Sequence, residues 1–305
     1  NNTSKVIPVL GTISEAFLGL GQSKFMKVAA ITDTIIHGAV FMDHLLTYHA
    51  LKKYNVRGTE EILRLACTKK QKTVHFISSI NIFNSNLQNK IYYEDSSINS
   101  EKHYYNDGYS SSKWVSEALC NIARERGINC NVYRLGLVLP SIKNPVYPTQ
   151  QWFGRFIKTC LVFAMFPKEL SGVMLYFASV DDVAKTISWA TTHSDIKNRN
   201  FHLFGEMPLT FSRVFNQMQE LFNCKEVELF TWLNKYKSAR SDNIVPIIPF
   251  IEDIIGSGKP NLNLANLQYS SEESIEFLKK EKIDFTACDK NYINSLLSKA
   301  ILTAF

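Results

Sequence analysis

The chain has 305 residues, of which 45% are hydrophobic and 20% are charged, and its formal net charge is +6. This composition is typical of a folded globular protein and excludes a disordered, highly charged chain. The lysines and arginines are scattered, and their densest cluster, KKQK at 69–72, has no RNA- or DNA-binding motif beside it. The charge therefore does not predict a nucleic-acid partner.

The cysteines and the apolar segments bear on location. The six cysteines include no CxxC pair and no Cys/His cluster at metal-ligand spacing, so we expect reduced thiols and no metal site. The first residues lack the apolar core of a signal peptide, and the longest apolar stretch, residues 160–167, is too short to span a bilayer. The sequence predicts a soluble, cytoplasmic protein without a membrane partner.

Strand-like and helix-like segments alternate over the first two-thirds of the chain, which predicts a parallel α/β sheet with right-handed crossovers. In chain order, the predicted segments are a strand at 5–10, a strand at 34–37, a helix at 59–68, a strand at 73–77, a helix at 109–126 and a strand at 129–139.

The pattern changes near residue 200. Amphipathic helices are predicted at 208–222 and 270–283, with a proline-broken loop at 238–250 between them. These segments indicate a smaller, mainly helical lobe at the C-terminal end of the chain.

A tyrosine and a lysine four residues apart, Tyr109 and Lys113, open the predicted helix at 109–126. This spacing places both side chains on one helix face, where the lysine ammonium favours the phenolate. Such a pair suits proton donation to a carbonyl oxygen during hydride transfer. Ser79 follows the strand at 73–77, and ligands of open α/β sheets bind at the carboxyl ends of strands, so its hydroxyl can hold the same carbonyl.

A second YxxxK match, Tyr48 and Lys52, has no strand-end serine at a suitable distance before it. The spacing alone is a weak signal, and we interpret this pair as surface residues. For Tyr109 the order strand, serine, long connection, tyrosine, helix and strand is complete, which favours a catalytic pair.

Several segments together resemble the extended short-chain dehydrogenases/reductases, namely FISSINIF (76–83), GYSSSKWVSEAL (108–119) and NVYRLG (131–136). VLGTISEAFLGLG (9–21) and ASVDDVAKTI (178–187) extend the likeness to the thioester reductase domains. These domains end nonribosomal peptide synthetases, polyketide synthases and carboxylic acid reductases. The likeness runs nearly from end to end of the chain.

This resemblance implies the roles of the catalytic residues. Tyr109 would be the general acid, and Ser79 would polarise the thioester carbonyl. Lys113 would tune Tyr109 and also bind the cofactor, by hydrogen-bonding the nicotinamide ribose.

The resemblance also implies a cofactor site. His37, Gly38 and Ala39 would line the cofactor, Arg134 would belong to the same site, and Asn55 would take a proton-relay or structural position near Lys113. Structural alternatives stay open, because Asn55 can cap the following helix and Gly38 can simply permit close packing. His37 is not expected to bind a metal.

The glycine-rich loop of dinucleotide-binding proteins does not occur, since the chain contains no GxxGxxG or GxGxxG. The family would place that loop before Lys5, in a βαβ unit. The resemblance therefore implies an α/β fold with a partial Rossmann-like, doubly wound parallel sheet, its first strands and glycine loop missing. Residues 1–200 would form this truncated domain, and residues 201–305 would form a smaller, mainly helical substrate-binding lobe.

The activity implied is the NADPH-dependent reduction of an acyl thioester to an aldehyde, or onward to the alcohol. The acyl group would be carried on the phosphopantetheine arm of a carrier protein, with upstream synthase domains as further partners. Two alternatives stay open. One is another extended short-chain reductase, such as a fatty acyl-CoA reductase or an epimerase-like enzyme; the other is a non-catalytic remnant that binds no dinucleotide. The sequence does not decide between NADPH and NADH.

Overall fold

The protein forms two compact units that interleave along the sequence. The first unit comprises Asn1–Asn84, Asp95–Arg134 and Trp189–Phe201, and the second comprises Ser85–Glu94, Leu135–Ser188 and His202–Phe305. The chain passes from one unit to the other at several points, and the boundary predicted at residue 200 lies near only the last of them, between Phe201 and His202. The structure, a computed structural model, describes residues 5–43, 46–83, 90–98, 108–143, 145–148, 151–239 and 268–302.

The described part of the chain contains short strands and longer helices. The strands are β1 (Thr34–His37), β2 (Thr73–Ser79), β3 (Ile91–Tyr92), β4 (Cys130–Leu135), β5 (Leu137–Leu139), β6 (Met165–Pro167), β7 (Met174–Leu175), β8 (Phe177–Ser179), β9 (Asn200–Leu203), β10 (Leu209–Thr210), β11 (Lys225–Val227) and β12 (Gln268–Tyr269). The helices are α1 (Gln22–Ile31), α2 (Tyr48–Cys67), α3 (Gly108–Glu125), α4 (Trp152–Phe163), α5 (Val180–Thr191), α6 (Phe211–Phe222), α7 (Leu229–Ser238), α8 (Glu272–Lys280) and α9 (Lys290–Leu302).

The first unit is built on a four-stranded sheet with the order β1-β2-β4-β9. β1 and β2 run parallel, with Thr34 beside Thr73 and His37 beside Phe76. The carboxyl ends of these two strands therefore meet at one edge of the sheet. The predicted α/β class with a Rossmann-like parallel sheet is confirmed.

Helices α2 and α3 carry three of the predicted site residues, Asn55 in α2 and Tyr109 and Lys113 in α3. α3 agrees with the helix predicted at 109–126, and Gly127 follows it with a left-handed φ of 89°, a conformation that glycine adopts without strain. α2 begins eleven residues before the predicted helix, where the Thr47 side chain accepts a hydrogen bond from the Ala50 amide and caps it. Its first turns are largely polar, so hydrophobic periodicity does not reveal them.

The core of the first unit lies between the sheet and these helices. Its members share near-complete burial and apolar side chains, so their removal from water is the main favourable contribution to folding of this unit. They are Phe25, Ala29, Ile35, Ile62, Leu65, Ala66, Val74, Phe76, Cys120, Ala123, Ile128, Cys130 and Val132.

Two predicted strands need correction. The strand predicted at 5–10 is wrong, because Val6, Ile7 and Leu10 are 71%, 82% and 91% exposed and lie in no strand. The segment predicted as one strand at 129–139 is divided into β4 and β5 at Gly136. A Cβ at Gly136 would lie 2.2 Å from the Tyr176 carbonyl oxygen, so only glycine permits this close approach.

The second unit is not purely helical. Helices α4, α6, α7 and α9 supply most of its core, but short strands also pair within it, β5 with β8, β6 with β11, β7 with β10 and β3 with β12. Most of the loop predicted at 238–250 lies outside the described residues. Among the helices that the structure describes, none is both long and apolar enough to cross a bilayer.

Candidate active site

Lys113 is buried at the carboxyl end of β2. Its side chain extends from α3, its ammonium donates a hydrogen bond to the Ile77 carbonyl, and its Nζ lies 4.2 Å from the centroid of the Phe76 ring. Burial lowers the pKa of Lys113 to about 8, although the nearby Cys120 and Glu117 act in the opposite direction. A cation is thus held at the sheet edge where ligands of such folds bind.

Tyr109 lies in the first turn of α3, one turn before Lys113. It is 9% exposed, and its backbone carbonyl accepts a hydrogen bond from the Ser112 hydroxyl at 2.8 Å. Gly108 permits this placement of the helix start, because a Cβ there would lie 2.3 Å from the Leu46 carbonyl oxygen. The predicted i,i+4 pair is therefore on one helix, with both side chains buried.

Ser79 is the last residue of β2, two residues after the carbonyl that Lys113 binds. It is partly buried, and its Oγ accepts a hydrogen bond from the Asn81 amide at 3.2 Å, which caps the short helix Ile80–Ile82. Among the described residues, the Ser79 O–H has no acceptor of its own. This hydroxyl is a hydrogen-bond donor at the same end of β2 as the Lys113 ammonium.

His37 ends β1 beside Phe76 and is 3% exposed. Its Nε2 lies 3.1 Å from the Thr59 hydroxyl, and its ring centroid lies 5.5 Å from that of Phe76. Burial and the positive charge of Lys113 lower the pKa of His37 to about 3. The imidazole is therefore neutral at physiological pH.

Gly38 and Ala39 follow His37 on the surface, and both are exposed. Among the described residues, a Cβ at Gly38 would meet Ile77 Cγ1, at 3.7 Å, which is an ordinary contact. Close packing therefore does not explain why residue 38 is a glycine.

Asn55 fixes the segment that follows β1. Its Oδ1 accepts from the Phe41 amide at 2.8 Å, and its Nδ2 donates to the Phe41 carbonyl at 3.0 Å and to the Ser112 hydroxyl at 2.8 Å. The alternative in which Asn55 caps a helix is wrong, because the cap of α2 is Thr47. The buried amide instead joins the surface segment to α2 and α3.

Arg134 lies in β4 and forms a buried ion pair. Its Nε and Nη2 donate to Glu117 Oε1 at 3.0 Å and 2.7 Å, and its guanidinium lies 4.8 Å from the centroid of the Phe83 ring. Ser78 donates to the second oxygen of Glu117 at 2.6 Å. The structure thus places Arg134 against Glu117, and its predicted contact with the cofactor stays a prediction.

Three polar residues of this region escaped the sequence analysis, namely Glu117, Thr59 and Ser112. Glu117 follows Lys113 by four residues, so it lies on the buried face of α3. A carboxylate on the buried face of an amphipathic helix requires a partner. The position of Glu117 was therefore a signal that the sequence offered. Thr59 and Ser112 gave no comparable signal, because their roles depend on contacts between distant segments.

The strand order and the polar groups at the sheet edge place the chain among the Rossmann-like α/β proteins. Residues 1–187 match the NAD_binding_4 family, described as male sterility protein, and the chain belongs to this family.

Relatives and solved structures agree with this assignment. A linear gramicidin synthase protein of Brevibacillus parabrevis is 30% identical over 240 residues, which cover 78% of this chain and 5% of that protein. The terminal R domain from the myxalamid PKS-NRPS biosynthetic pathway has a TM-score of 0.87 and 23% identity, covering 98% of this chain and 76% of that chain. A thiolation-reductase di-domain from an archaeal nonribosomal peptide synthetase has a TM-score of 0.74 and 19% identity, covering 97% of this chain and 61% of that chain. The predicted likeness to reductase domains of such synthases is confirmed.

Proposed function

We propose that this chain reduces an acyl thioester, carried by a phosphopantetheine arm, to an aldehyde with NADPH. One observation carries the proposal. The buried Lys113 ammonium donates a hydrogen bond to the Ile77 carbonyl. Lys113 lies one helical turn after Tyr109, and Ile77 lies two residues before Ser79. In the proposed mechanism the Tyr109 phenol and the Ser79 hydroxyl act beside this cation at the end of β2.

The residues at this edge fit a nicotinamide dinucleotide. Gly38 and Ala39 are exposed, and within the described part of the chain a Cβ at Gly38 would meet one side-chain atom, which leaves room for a ligand there. Lys113 supplies a buried hydrogen-bond donor, and His37 has a buried ring nitrogen without a partner among the described residues. We assign the ribose and diphosphate to this segment, with Lys113 beside the ribose.

The catalytic residues have separate tasks. When bound, the reduced nicotinamide supplies the hydride that adds to the thioester carbon. Ser79 donates a hydrogen bond to the thioester oxygen, and Tyr109 gives its phenolic proton to that oxygen as negative charge develops. Lys113 stabilises the phenolate that remains. The resulting hemithioacetal loses the pantetheine thiol and leaves the aldehyde.

The domains that are joined to similar reductases support a carrier-bound substrate. A solved structure similar to this chain joins a reductase to a thiolation domain. A tethered acyl group is also presented at a high effective concentration, so the reductase needs little affinity for the acyl group itself.

The test is NADPH oxidation by the full chain with an acyl group loaded on a carrier protein. Tyr109→Phe removes only the phenolic oxygen and should lower the rate about 100-fold or more. Tyr48→Phe is the matched control, because Tyr48 begins the other YxxxK pair, and it should leave the rate unchanged. NADH in place of NADPH, and the free acid in place of the thioester, should each react more slowly.

The outcomes separate the alternatives. Reduction that survives Tyr109→Phe would remove Tyr109 from its assigned role. Nucleotide binding without turnover of any thioester would favour another reductase activity on the same fold. Absence of nucleotide binding would favour the non-catalytic alternative.

A further inference from the structure

Helix α3 holds the carboxyl end of β2 at two points. The Lys113 ammonium donates a hydrogen bond to the Ile77 carbonyl, and the Ser78 hydroxyl donates to Glu117 Oε2 at 2.6 Å. Lys113 and Glu117 are four residues apart, so they lie on one face of α3, a single turn from each other. The two residues immediately before Ser79 are therefore both tied to the same helix.

The acceptor of the Ser78 hydroxyl is itself fixed. Glu117 is 0% exposed, and its other oxygen accepts two hydrogen bonds from Arg134, at 2.7 Å and 3.0 Å. Hydrogen bonds to a charged acceptor are short and strong, so the buried Ser78 side chain is held in one orientation. Replacement of a buried ion pair by apolar residues of similar volume is often neutral or stabilising. Stability alone therefore does not account for the carboxylate that Ser78 binds.

The orientation of Ser78 determines that of Ser79. Ser79 has extended backbone angles, with φ −141° and ψ 150°, and successive side chains of a strand alternate in direction. A rotation of the end of β2 that moved one of these side chains would therefore move the other. The Ser79 hydroxyl accepts from the Asn81 amide at 3.2 Å, which leaves the hydroxyl proton for another acceptor.

We infer that the hydrogen bond from Ser78 to Glu117 positions the Ser79 hydroxyl for the oxygen of the substrate thioester. This role rests on the proposed function. Ser78 is a positioning residue, because Glu117 takes its hydroxyl proton and none is left for the substrate. A donor that meets a developing negative charge is most effective when its direction is set before the reaction. Misplacement of such a group by about 1 Å can lower the rate roughly 100-fold.

Ser78→Ala removes this hydrogen bond and adds no atom. We expect it to lower kcat about tenfold in the reduction of a carrier-bound thioester by NADPH, because Ser79 is then less well directed. KM should change little, because the interaction that is lost forms fully only in the transition state. Thr73→Val is the matched control, since it removes a hydroxyl at the amino end of the same strand, where Asn129 binds it. This variant should leave kcat unchanged.

A double-mutant cycle with Ser79→Ala separates positioning from a general loss of structure. If Ser78 acts through Ser79, its substitution has nothing left to misplace once the Ser79 hydroxyl is gone. We expect Ser79→Ala to lower kcat roughly 100-fold and Ser78→Ala to lower it no further in that background. A purely structural role of Ser78 would lower kcat by the same factor in both backgrounds. If Ser78→Ala does not fold, Ser78→Thr and Ser78→Val give the same comparison, because they share one shape and only threonine keeps the hydroxyl.

The outcomes distinguish the two hypotheses. Unchanged kcat on loss of the Ser78 hydroxyl, or an equal loss in the two backgrounds, would refute the role of Ser78 while the reductase activity stands. Equal rates in wild type and Ser79→Ala would refute it as well, because no hydroxyl would then need positioning. If wild type does not oxidise NADPH with any carrier-bound thioester, the proposed function is refuted, and this role falls with it.

Discussion

The guanidinium of Arg134 binds one carboxylate oxygen of Glu117 through two nitrogens, at 2.7 Å and 3.0 Å, and both side chains are almost fully buried. The other oxygen of Glu117 accepts from Ser78. The pair thus links the middle of α3 to β4 and, through Ser78, to β2 at the residue before Ser79.

Removing one member of this pair should be strongly destabilising. Glu117→Gln or Arg134→Met removes the opposite charge from a buried partner, and each should lower the free energy of unfolding by about 3–5 kcal/mol. The double variant should lose less than the sum, because it buries neither charge. Urea denaturation measures all three. The exposed pair Arg57 and Glu60 is the control, where Arg57→Ala should change stability by less than about 1 kcal/mol.

Burial of Lys113 should make stability depend on pH in one window. Its folded pKa of about 8 lies below the ordinary lysine value of 10.5. Below the folded pKa both states hold the proton and the full burial cost is present. Between the two values the unfolded state binds more protons, so the free energy of unfolding rises with pH, by up to about 3 kcal/mol. Lys113→Met should lack this contribution, and a difference from wild type that stays constant across the window would contradict the prediction.

Asn55 should act on nucleotide binding as well as on stability. Asn55→Ala releases the Phe41 backbone, so the segment after β1 should lose its position, and NADPH affinity should fall about tenfold, as for loss of one or two hydrogen bonds. Asn129→Ala is the matched control, because its amide bonds Thr73 and Ile196 at the amino end of β2. Both variants should be less stable in urea, but only Asn55→Ala should weaken binding in a fluorescence titration.

Gly136→Ala should disrupt the break between β4 and β5. Its Cβ would lie 2.2 Å from the Tyr176 carbonyl oxygen, and overpacking against a backbone atom costs at least about 1–3 kcal/mol. Gly172 is a fair comparison, since an added Cβ there meets no described atom within 4 Å. Gly172→Ala should leave the melting temperature within a few degrees of wild type, and equal effects of the two changes would refute the steric explanation.

Local patterns predicted the elements that bury one regular face. β1, β2 and α3 were foreseeable because their apolar residues recur at strand or helix spacing. The same rule failed at residues 5–10, where Val6, Ile7 and Leu10 are exposed and lie outside any strand. It also missed the first half of α2, because the residues there are largely polar and give no apolar pattern at helical spacing.

The sequence indicated the residue types of the candidate site and not the hydrogen bonds that join them. The order of Ser79, Tyr109 and Lys113 along the chain indicated a shared strand end. The partners of Asn55 and Arg134 were not foreseeable, because both bind residues that are distant in the sequence. The contact of His37 Nε2 with the Thr59 hydroxyl of α2, at 3.1 Å, was not foreseeable either, because only the assembled structure brings α2 to the imidazole.

The interleaving of the two units governs how the chain can fold as it leaves the ribosome. β9 is the outer neighbour of β4 in the four-stranded sheet, yet Leu135–Ser188, which belong to the second unit, are synthesised before it. The sheet that supports the site therefore stays incomplete until the chain has passed residue 200, and no single truncation point releases either unit intact.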